Sequence, residues 1–271
     1  MELPGAPPQP WVERLPGVPK GTLKEQKIKS ESLKGERTVA VYTPAGYDPR
    51  GDEYGLLVLF DGAFYQDKDM IPAPVILDNL IAKKKIPPLL AVFVKHNPLS
   101  RNKDLSCSEP FADFLVKELV PWVRGQYRVS ADPACTIVGG LSLGGLMASY
   151  CGLRHSDVFG NVLSQSGSYW WFPGGLEQDP RAMLDVEPGW LTREFVAAPH
   201  RPLRFYLEIG RFEDGGILTS MCGESRRFRD VLKAKGYSVH YSEYNGGHDY
   251  VTWRGSFADG LMALVGTGGK K

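Results

Sequence analysis

The sequence lacks three features that would each indicate a whole class of protein. Only four cysteines occur in 271 residues, and they show neither the density of a disulfide scaffold nor the paired spacing of a zinc site. No apolar run approaches the roughly 18 residues that span a bilayer. Lys and Arg total 32 against 31 Asp and Glu, a net charge of +1, so no charge excess indicates nucleic-acid binding. We therefore expect no metal, no membrane and no nucleic acid among its partners.

The N-terminal segment is rich in proline and has no apolar run. Prolines recur through residues 1–20 and disfavour helix, so we expect an extended arm there rather than an intact signal peptide. Two locations stay open for a soluble protein: the cytoplasm, or the periplasm or medium after loss of a leader. No break in composition follows, which predicts one domain over residues 1–271.

Short apolar runs alternate with helical patterns along the rest of the chain. Residues 56–60 (LLVLF) and 89–94 (LLAVFV) are continuous apolar runs, which is typical of parallel strands buried on both faces. Further strand-like runs and helical spacings follow, with strands at 38–42, 136–138, 161–164, 205–209 and 238–244, and helices near 111–125, 144–153, 228–232 and 257–264. This alternation predicts an α/β fold, a mainly parallel sheet with helices on both faces.

The clearest chemical signal is a G-x-S-x-G motif at residues 140–144 (GLSLG). It follows a strand-like run and precedes a helical pattern, which is the context of a nucleophile elbow in α/β-hydrolases. Such a turn holds its serine in a strained conformation, and flanking glycines let the neighbouring backbone approach closely. We therefore predict Ser142 as a nucleophile, with N–H groups at the helix start facing any oxyanion.

A serine nucleophile needs a base, and His248 is the best placed of the five histidines. It stands in a Gly-Gly-His-Asp loop directly after the last predicted strand, and the chain order of serine, acid and histidine fits an α/β-hydrolase. The orienting acid should follow the strand at 205–209, where Glu213 and Asp214 are both candidates. We favour Glu213 and keep Asp214 as the alternative, while Asp249 would point away from the imidazole.

The loop after the strand at 56–60 is the natural source of a second oxyanion donor. Its sequence is Asp-Gly-Ala-Phe, so we expect the backbone N–H of Ala63 or Gly62 to act beside that of Leu143. Phe64 in this loop, and His96 at the end of the strand at 89–94, lie at the same predicted edge. Both are candidates to contact substrate.

Four segments carry a resemblance to a known family: residues 140–145, 162–171 (VLSQSGSYWW), 246–249 (GGHD) and 253–255 (WRG). Together they resemble the catalytic domain of enterochelin (enterobactin) esterases, in the esterase D-like group of α/β-hydrolases. The likeness runs from about residue 38 to the C-terminus and includes residues 101–107. It implies Ser142 and His248 as nucleophile and base, and it implies that Arg101 faces the substrate pocket. Arg101 could instead pair with a surface carboxylate of the chain itself.

An aromatic cluster follows the strand at 161–164. Tyr169, Trp170 and Trp171 could stack on a catechol or cinnamoyl ring, or they could pack as a buttress under the elbow. Both interpretations stay open from the sequence.

These features predict a serine carboxylic-ester hydrolase that works through an acyl-enzyme without a cofactor. The expected partner is a small-molecule ester of an aromatic acid, such as a ferric or apo catecholate siderophore trilactone or a hydroxycinnamoyl ester. A feruloyl or acetyl-xylan-type esterase, or an acyltransferase of the same fold, is the enzymatic alternative. A catalytically silent binding module is the non-enzymatic one. The oligomeric state stays undetermined.

Overall fold

A computed structural model describes residues 6–96, 98–174, 187–213 and 220–267. Its eight strands are β1 (Thr22–Ser30), β2 (Gly35–Thr43), β3 (Gly55–Leu59), β4 (Leu89–Val94), β5 (Thr136–Leu141), β6 (Asn161–Gln165), β7 (Arg204–Gly210) and β8 (Ser238–Tyr244). They form one sheet in the order β1-β2-β4-β3-β5-β6-β7-β8. The pairs β1–β2 and β2–β4 are antiparallel, and every later pair from β4 to β8 is parallel.

Helices cover both faces of this sheet. They are α1 (Ala73–Ala82), α2 (Arg101–Leu105), α3 (Glu109–Asp113), α4 (Val120–Gln126), α5 (Leu143–Arg154), α6 (Trp190–Ala197), α7 (Met221–Ala234) and α8 (Tyr250–Val265). Successive side chains of a strand point to opposite faces, so Val58 of β3 joins the core under α3 to α7, while Leu57 and Leu59 join the core under α1 and α8. This arrangement confirms the predicted α/β-hydrolase fold.

The helix predicted near residues 111–125 forms as consecutive helical segments rather than as one regular α-helix. Between α3 and α4 the chain forms a π-helical segment, Phe114–Leu119, in which the Val120 N–H donates to Leu115 O, five residues back. Pro121 follows at once, and a proline has no N–H to donate within a helix. The wider turn therefore accommodates Pro121 without ending the helical path.

Several elements were not predicted from the sequence. β1 is a largely exposed edge strand, and four of its nine residues are lysine or glutamate. It therefore lacks the apolar pattern that reveals a buried strand. The helices α1, α2 and α6 were also missed. Residues 6–20 form no helix or strand, and this arm packs on α1, where Arg14 pairs with Asp78 at 2.8 Å. No helix within the described residues is long and apolar enough to cross a membrane.

Candidate active site

Ser142 occupies a strained turn between β5 and α5. Its backbone φ of 58° and ψ of −122° lie outside the regions that residues other than glycine normally adopt. Such strain persists only where the surroundings enforce it. A Cβ on Gly140 would lie 2.8 Å from the Gly144 carbonyl carbon, and one on Gly145 would lie 2.4 Å from Ser164 Oγ. Neighbouring atoms thus approach Gly140 and Gly145 too closely for a side chain, whereas a Cβ on Gly144, the last glycine of the motif, would meet only ordinary contacts from 3.5 Å.

The Ser142 side chain is half-buried at the carboxyl edge of the sheet. Its backbone N–H donates to Gln165 O at 2.8 Å, and the Ser168 N–H donates to Ser142 O at 3.1 Å, so the end of β6 holds the turn in place. Within the described residues, the hydrogen-bond neighbour of Ser142 Oγ is Ser168 Oγ at 3.4 Å. Among the described residues, no hydrogen bond joins Ser142 Oγ to His248, and catalytic hydrogen bonds are often long or absent before substrate binds.

His248 and Glu213 form a short hydrogen bond. His248 Nδ1 lies 2.6 Å from Glu213 Oε2, and the Glu213 side chain is 0% exposed against 38% for His248. A carboxylate accepts a hydrogen bond from Nδ1–H, so the proton of the neutral imidazole lies on Nδ1 and Nε2 is the basic nitrogen. The other acid considered from the sequence, Asp214, lies outside the described residues. The structure therefore brings Glu213 to the imidazole with the geometry of an orienting acid.

Further donors hold the Glu213 carboxylate in place. Glu213 Oε1 accepts from Ser166 Oγ at 2.7 Å and from the Gly210 N–H at 2.8 Å. Ser166 Oγ in turn accepts from Trp253 Nε1 at 2.8 Å, and the Trp253 ring lies edge-on to the His248 ring at 4.7 Å. Sequence reasoning assigned no role to Ser166 or Trp253, although both lie in the segments that resemble a family.

We expect Ser166→Ala to lower kcat by about 10- to 100-fold, because a charge-assisted hydrogen bond to a buried carboxylate is worth about 1.5–3 kcal/mol. KM should change little, since Ser166 is buried and contacts the acid rather than substrate. Ester hydrolysis kinetics and thermal unfolding of the variant provide the measurement. Ser149→Ala is the matched control, because this buried hydroxyl bonds Gly145 O and Tyr169 instead. A loss of stability with unchanged kcat in both variants would contradict the role given to Ser166.

Of the three backbone N–H groups predicted as oxyanion donors, two remain candidates and one is excluded. The Gly62 N–H donates to Val94 O at 2.8 Å, so the prediction of Gly62 as an oxyanion donor is wrong because its proton is already used between strands. Among the described residues, no backbone acceptor binds the N–H of Ala63 or Leu143. Ala63 follows β3 and Leu143 opens α5, which leaves these two donors available to an oxyanion.

Arg101 binds a carboxylate of the chain itself. Its Nε donates to Asp61 Oδ1 and its Nη2 to Asp61 Oδ2, both at 2.6 Å. The Asp61 side chain is only 2% exposed and that of Arg101 is 23% exposed. The structure thus shows the carboxylate partner that was one of the two alternatives for Arg101, although this partner is buried rather than on the surface.

Two of the predicted aromatic contacts lie in the core. Tyr169 is 1% exposed, stacks on Phe228 at 4.1 Å and donates its hydroxyl proton to Ser164 Oγ at 2.8 Å. Trp171 is 6% exposed and packs edge-on against Trp190. Both rings are buttresses, and the prediction that they stack on substrate is wrong because packed neighbours already cover them.

The remaining predicted contacts divide by exposure. The His96 side chain is 3% exposed and lies against the rings of Phe60 and Phe111, so the prediction that it touches substrate is wrong. Trp170 and Phe64 are half-buried, and Phe64 contacts Tyr250, the first residue of α8, at 5.4 Å between ring centroids. Tyr250 was not predicted, since only the tertiary structure brings α8 beside the loop after β3.

Other parts of the molecule offer a cavity but no evident metal site. In the described part of the chain, no group of three or more His, Cys, Asp or Glu side chains could hold a metal ion. A cavity of ≈ 790 Å³ lies between the N-terminal arm and α8, and its lining includes Gly246 and Gly247, the two residues that precede His248 in the chain. Ser142 does not line it, so this cavity is separate from the nucleophile.

Comparison with known proteins identifies related chains. The model of the family described as "Putative esterase" matches residues 30–264. The Iron(III) enterobactin esterase of Escherichia coli O6:H1 strain CFT073 is 34% identical over 266 residues, which are 97% of this chain and 62% of that protein. The crystal structure of the Shigella flexneri enterobactin esterase in the presence of enterobactin has a TM-score of 0.82 at 32% identity, covering 97% of this chain and 63% of that one.

A more distant structure shares the fold. The ferulic acid esterase from Anaeromyces mucronatus in complex with ferulic acid has a TM-score of 0.74 at 18% identity and covers 97% of both chains. The present chain thus spans less than two thirds of the length of the enterobactin esterases that it matches, and nearly all of this ferulic acid esterase.

Proposed function

The chain belongs to the esterase family, and from that premise we propose that it hydrolyses carboxylic esters of aromatic acids through a serine acyl-enzyme. The observation that carries the proposal is the 2.6 Å contact between His248 Nδ1 and the buried Glu213 carboxylate. It orients a base on the loop after β8, at the same sheet edge as the strained Ser142.

The proposed reaction proceeds in two steps. Ser142 Oγ attacks the ester carbonyl carbon while His248 Nε2 accepts the hydroxyl proton, and Glu213 stabilises the resulting imidazolium. The N–H groups of Leu143 and Ala63 stabilise the oxyanion, each contributing on the order of 3 kcal/mol in the transition state. The imidazolium then protonates the departing alcohol. Water, deprotonated by His248, cleaves the acyl-enzyme and restores Ser142.

Several observations support an aromatic acyl group. The related proteins from Escherichia coli and Shigella flexneri are named enterobactin esterases. In this chain Trp170, Phe64 and Tyr250 keep half-buried rings. Phe64 directly follows Ala63, and Tyr250 begins α8 just after the loop that carries His248. We propose a small-molecule substrate of this kind, either a catecholate siderophore or a hydroxycinnamoyl ester.

A panel of esters tests the substrate class. It comprises methyl ferulate, enterobactin with and without iron, and methyl 3-cyclohexylpropanoate as the saturated control for a ring of similar size. We expect kcat/KM for methyl ferulate to exceed that for methyl 3-cyclohexylpropanoate by about 5- to 10-fold, since stacking adds about 1 kcal/mol beyond burial. Equal values for the two rings would refute aromatic selection while leaving ester hydrolysis in place.

A further inference from the structure

A carboxylate lies beside the start of the helix that follows the nucleophile. Asp61 is 4% exposed, and its Oδ2 lies 3.6 Å from the position that a Cβ on Gly144 would take. Gly144 is in the first turn of α5, next to the Leu143 N–H. A buried acidic group therefore lies against the first turn of the helix whose N-terminus faces the oxyanion site.

This position is unfavourable for catalysis when the carboxylate is unpaired. The start of a helix carries a partial positive charge of about half an elementary charge, and that potential favours the oxyanion of the transition state. A full negative charge a few ångströms away would more than cancel it, because two charges interact strongly where water is excluded. The site thus needs a positively charged group beside Asp61 that neutralises its carboxylate.

The same residue is needed for the shape of the loop. Asp61 has a φ of 54°, a conformation that aspartate tolerates better than most residues. The Phe64 N–H donates to Asp61 O at 2.9 Å, so the turn at Asp61 sets the path of the backbone through Ala63. Asp61 therefore maintains the conformation of the loop that carries Ala63, while its negative charge opposes stabilisation of an oxyanion at the start of α5.

Arg101 provides the counter-charge with a two-pronged contact. Both carboxylate oxygens of Asp61 accept from its guanidinium at 2.6 Å. Burial by itself lowers the pKa of Arg101, and the hydrogen bonds and charge of Asp61 outweigh it, so the pKa is raised and the group stays charged. Tyr250 interacts with both partners. Burial is the main cause that raises the pKa of its phenol, Asp61 raises this pKa further, and Arg101 opposes the rise.

We propose that Arg101 is a positioning residue for the oxyanion site: it neutralises Asp61, so that the start of α5 remains positive toward the transition state. The inference rests on the proposed esterase function and deepens it. It differs from a clamp on an anionic substrate, because the effect must appear with an uncharged ester and in kcat.

The test uses p-nitrophenyl acetate, which carries no charge. Arg101→Gln should lower kcat by about 10- to 100-fold, the effect of an uncompensated charge roughly 6–12 Å from the oxyanion with an effective dielectric constant near 20. Arg101→Lys, which keeps the charge and loses the fork, should stay within about threefold of the wild type. The double variant Asp61→Asn with Arg101→Gln removes both charges, and its kcat should exceed that of Arg101→Gln by about tenfold.

A matched control comes from a second arginine–aspartate pair. Arg37 pairs with the buried Asp104 of α2 at 3.6 Å. Arg37→Gln also leaves a buried aspartate without its arginine, and it should lower thermal stability without the loss in kcat. Equal losses in kcat for both glutamine variants would overturn the inference, as would a double variant no better than Arg101→Gln. An Arg101→Gln variant with normal kcat on the neutral ester and a raised KM on an anionic ester would instead support a substrate clamp.

Failure of the inference and failure of the proposed function have separate signatures. Wild-type protein that is labelled by a fluorophosphonate and hydrolyses p-nitrophenyl acetate supports the function, whatever the Arg101 series shows. Thermal unfolding of each variant shows that it is folded. The charge-neutral double variant keeps the inference testable even where a single substitution leaves Asp61 buried and unpaired.

Discussion

Replacing Ser142 with alanine is expected to lower kcat for an aryl ester by about 10⁴- to 10⁶-fold, because it removes the atom that forms the acyl-enzyme. The residual rate would come from the oxyanion donors and from binding alone. In the described part of the chain, the hydroxyl forms a single long contact, with Ser168 Oγ at 3.4 Å, so the variant should fold like the wild type. Steady-state hydrolysis and thermal unfolding of both proteins provide the measurement.

Covalent labelling adds a check that does not depend on the choice of ester. A fluorophosphonate should modify the wild type at Ser142, as seen by the mass of the peptide that contains it, and should leave Ser142→Ala unmodified. A folded wild type that resists labelling would support the silent binding module instead. Activity of Ser142→Ala near the wild-type level would eliminate the proposed mechanism.

The second large effect is expected at the acid. Glu213→Gln should lower kcat by about 10³- to 10⁴-fold, because an amide at this position no longer favours the imidazole tautomer with Nε2 free and no longer stabilises the imidazolium. The steric change is small, so the substitution addresses charge rather than packing. The measurement is kcat on the same aryl ester.

Asp214→Asn is the matched control for that experiment, since it makes the same change one residue along the chain. We expect its kcat to stay within about threefold of the wild type, because Glu213 already accepts the hydrogen bond of His248 Nδ1 and a triad needs one orienting acid. A large loss in Asp214→Asn together with a small loss in Glu213→Gln would transfer the role of the acid to Asp214.

Much of the fold could be predicted because its central strands are buried on both faces. β3 and β4 must be apolar at consecutive positions, since helices cover each side, and the apolar runs at 56–60 and 89–94 follow from that requirement. β1 escaped prediction for the opposite reason. Within the described sheet it lies at the edge, pairs with β2 and leaves most of its side chains in water, so no burial pattern marks it.

The candidate nucleophile and base could be found because local sequence encodes their local geometry. A serine in a strand-to-helix turn needs small neighbours, and the glycines around Ser142 record that need in the sequence. His248 follows β8 in a short loop, so its place at the sheet edge follows from strand order alone. These are statements about neighbours in the chain, which a single sequence contains.

What the tertiary structure decided depends on partners distant in the chain. It decided that Glu213 reaches His248, 35 residues away, and that Arg101 pairs with Asp61, 40 residues away. It also decided that Tyr169 is a core residue rather than a substrate contact. Hydrogen-bond partners and burial are set by packing between elements, and no local periodicity records them. The sequence by itself therefore determined the proposed chemistry and its candidate nucleophile, and the packing of the sheet and its helices decided which groups lie in position to support them.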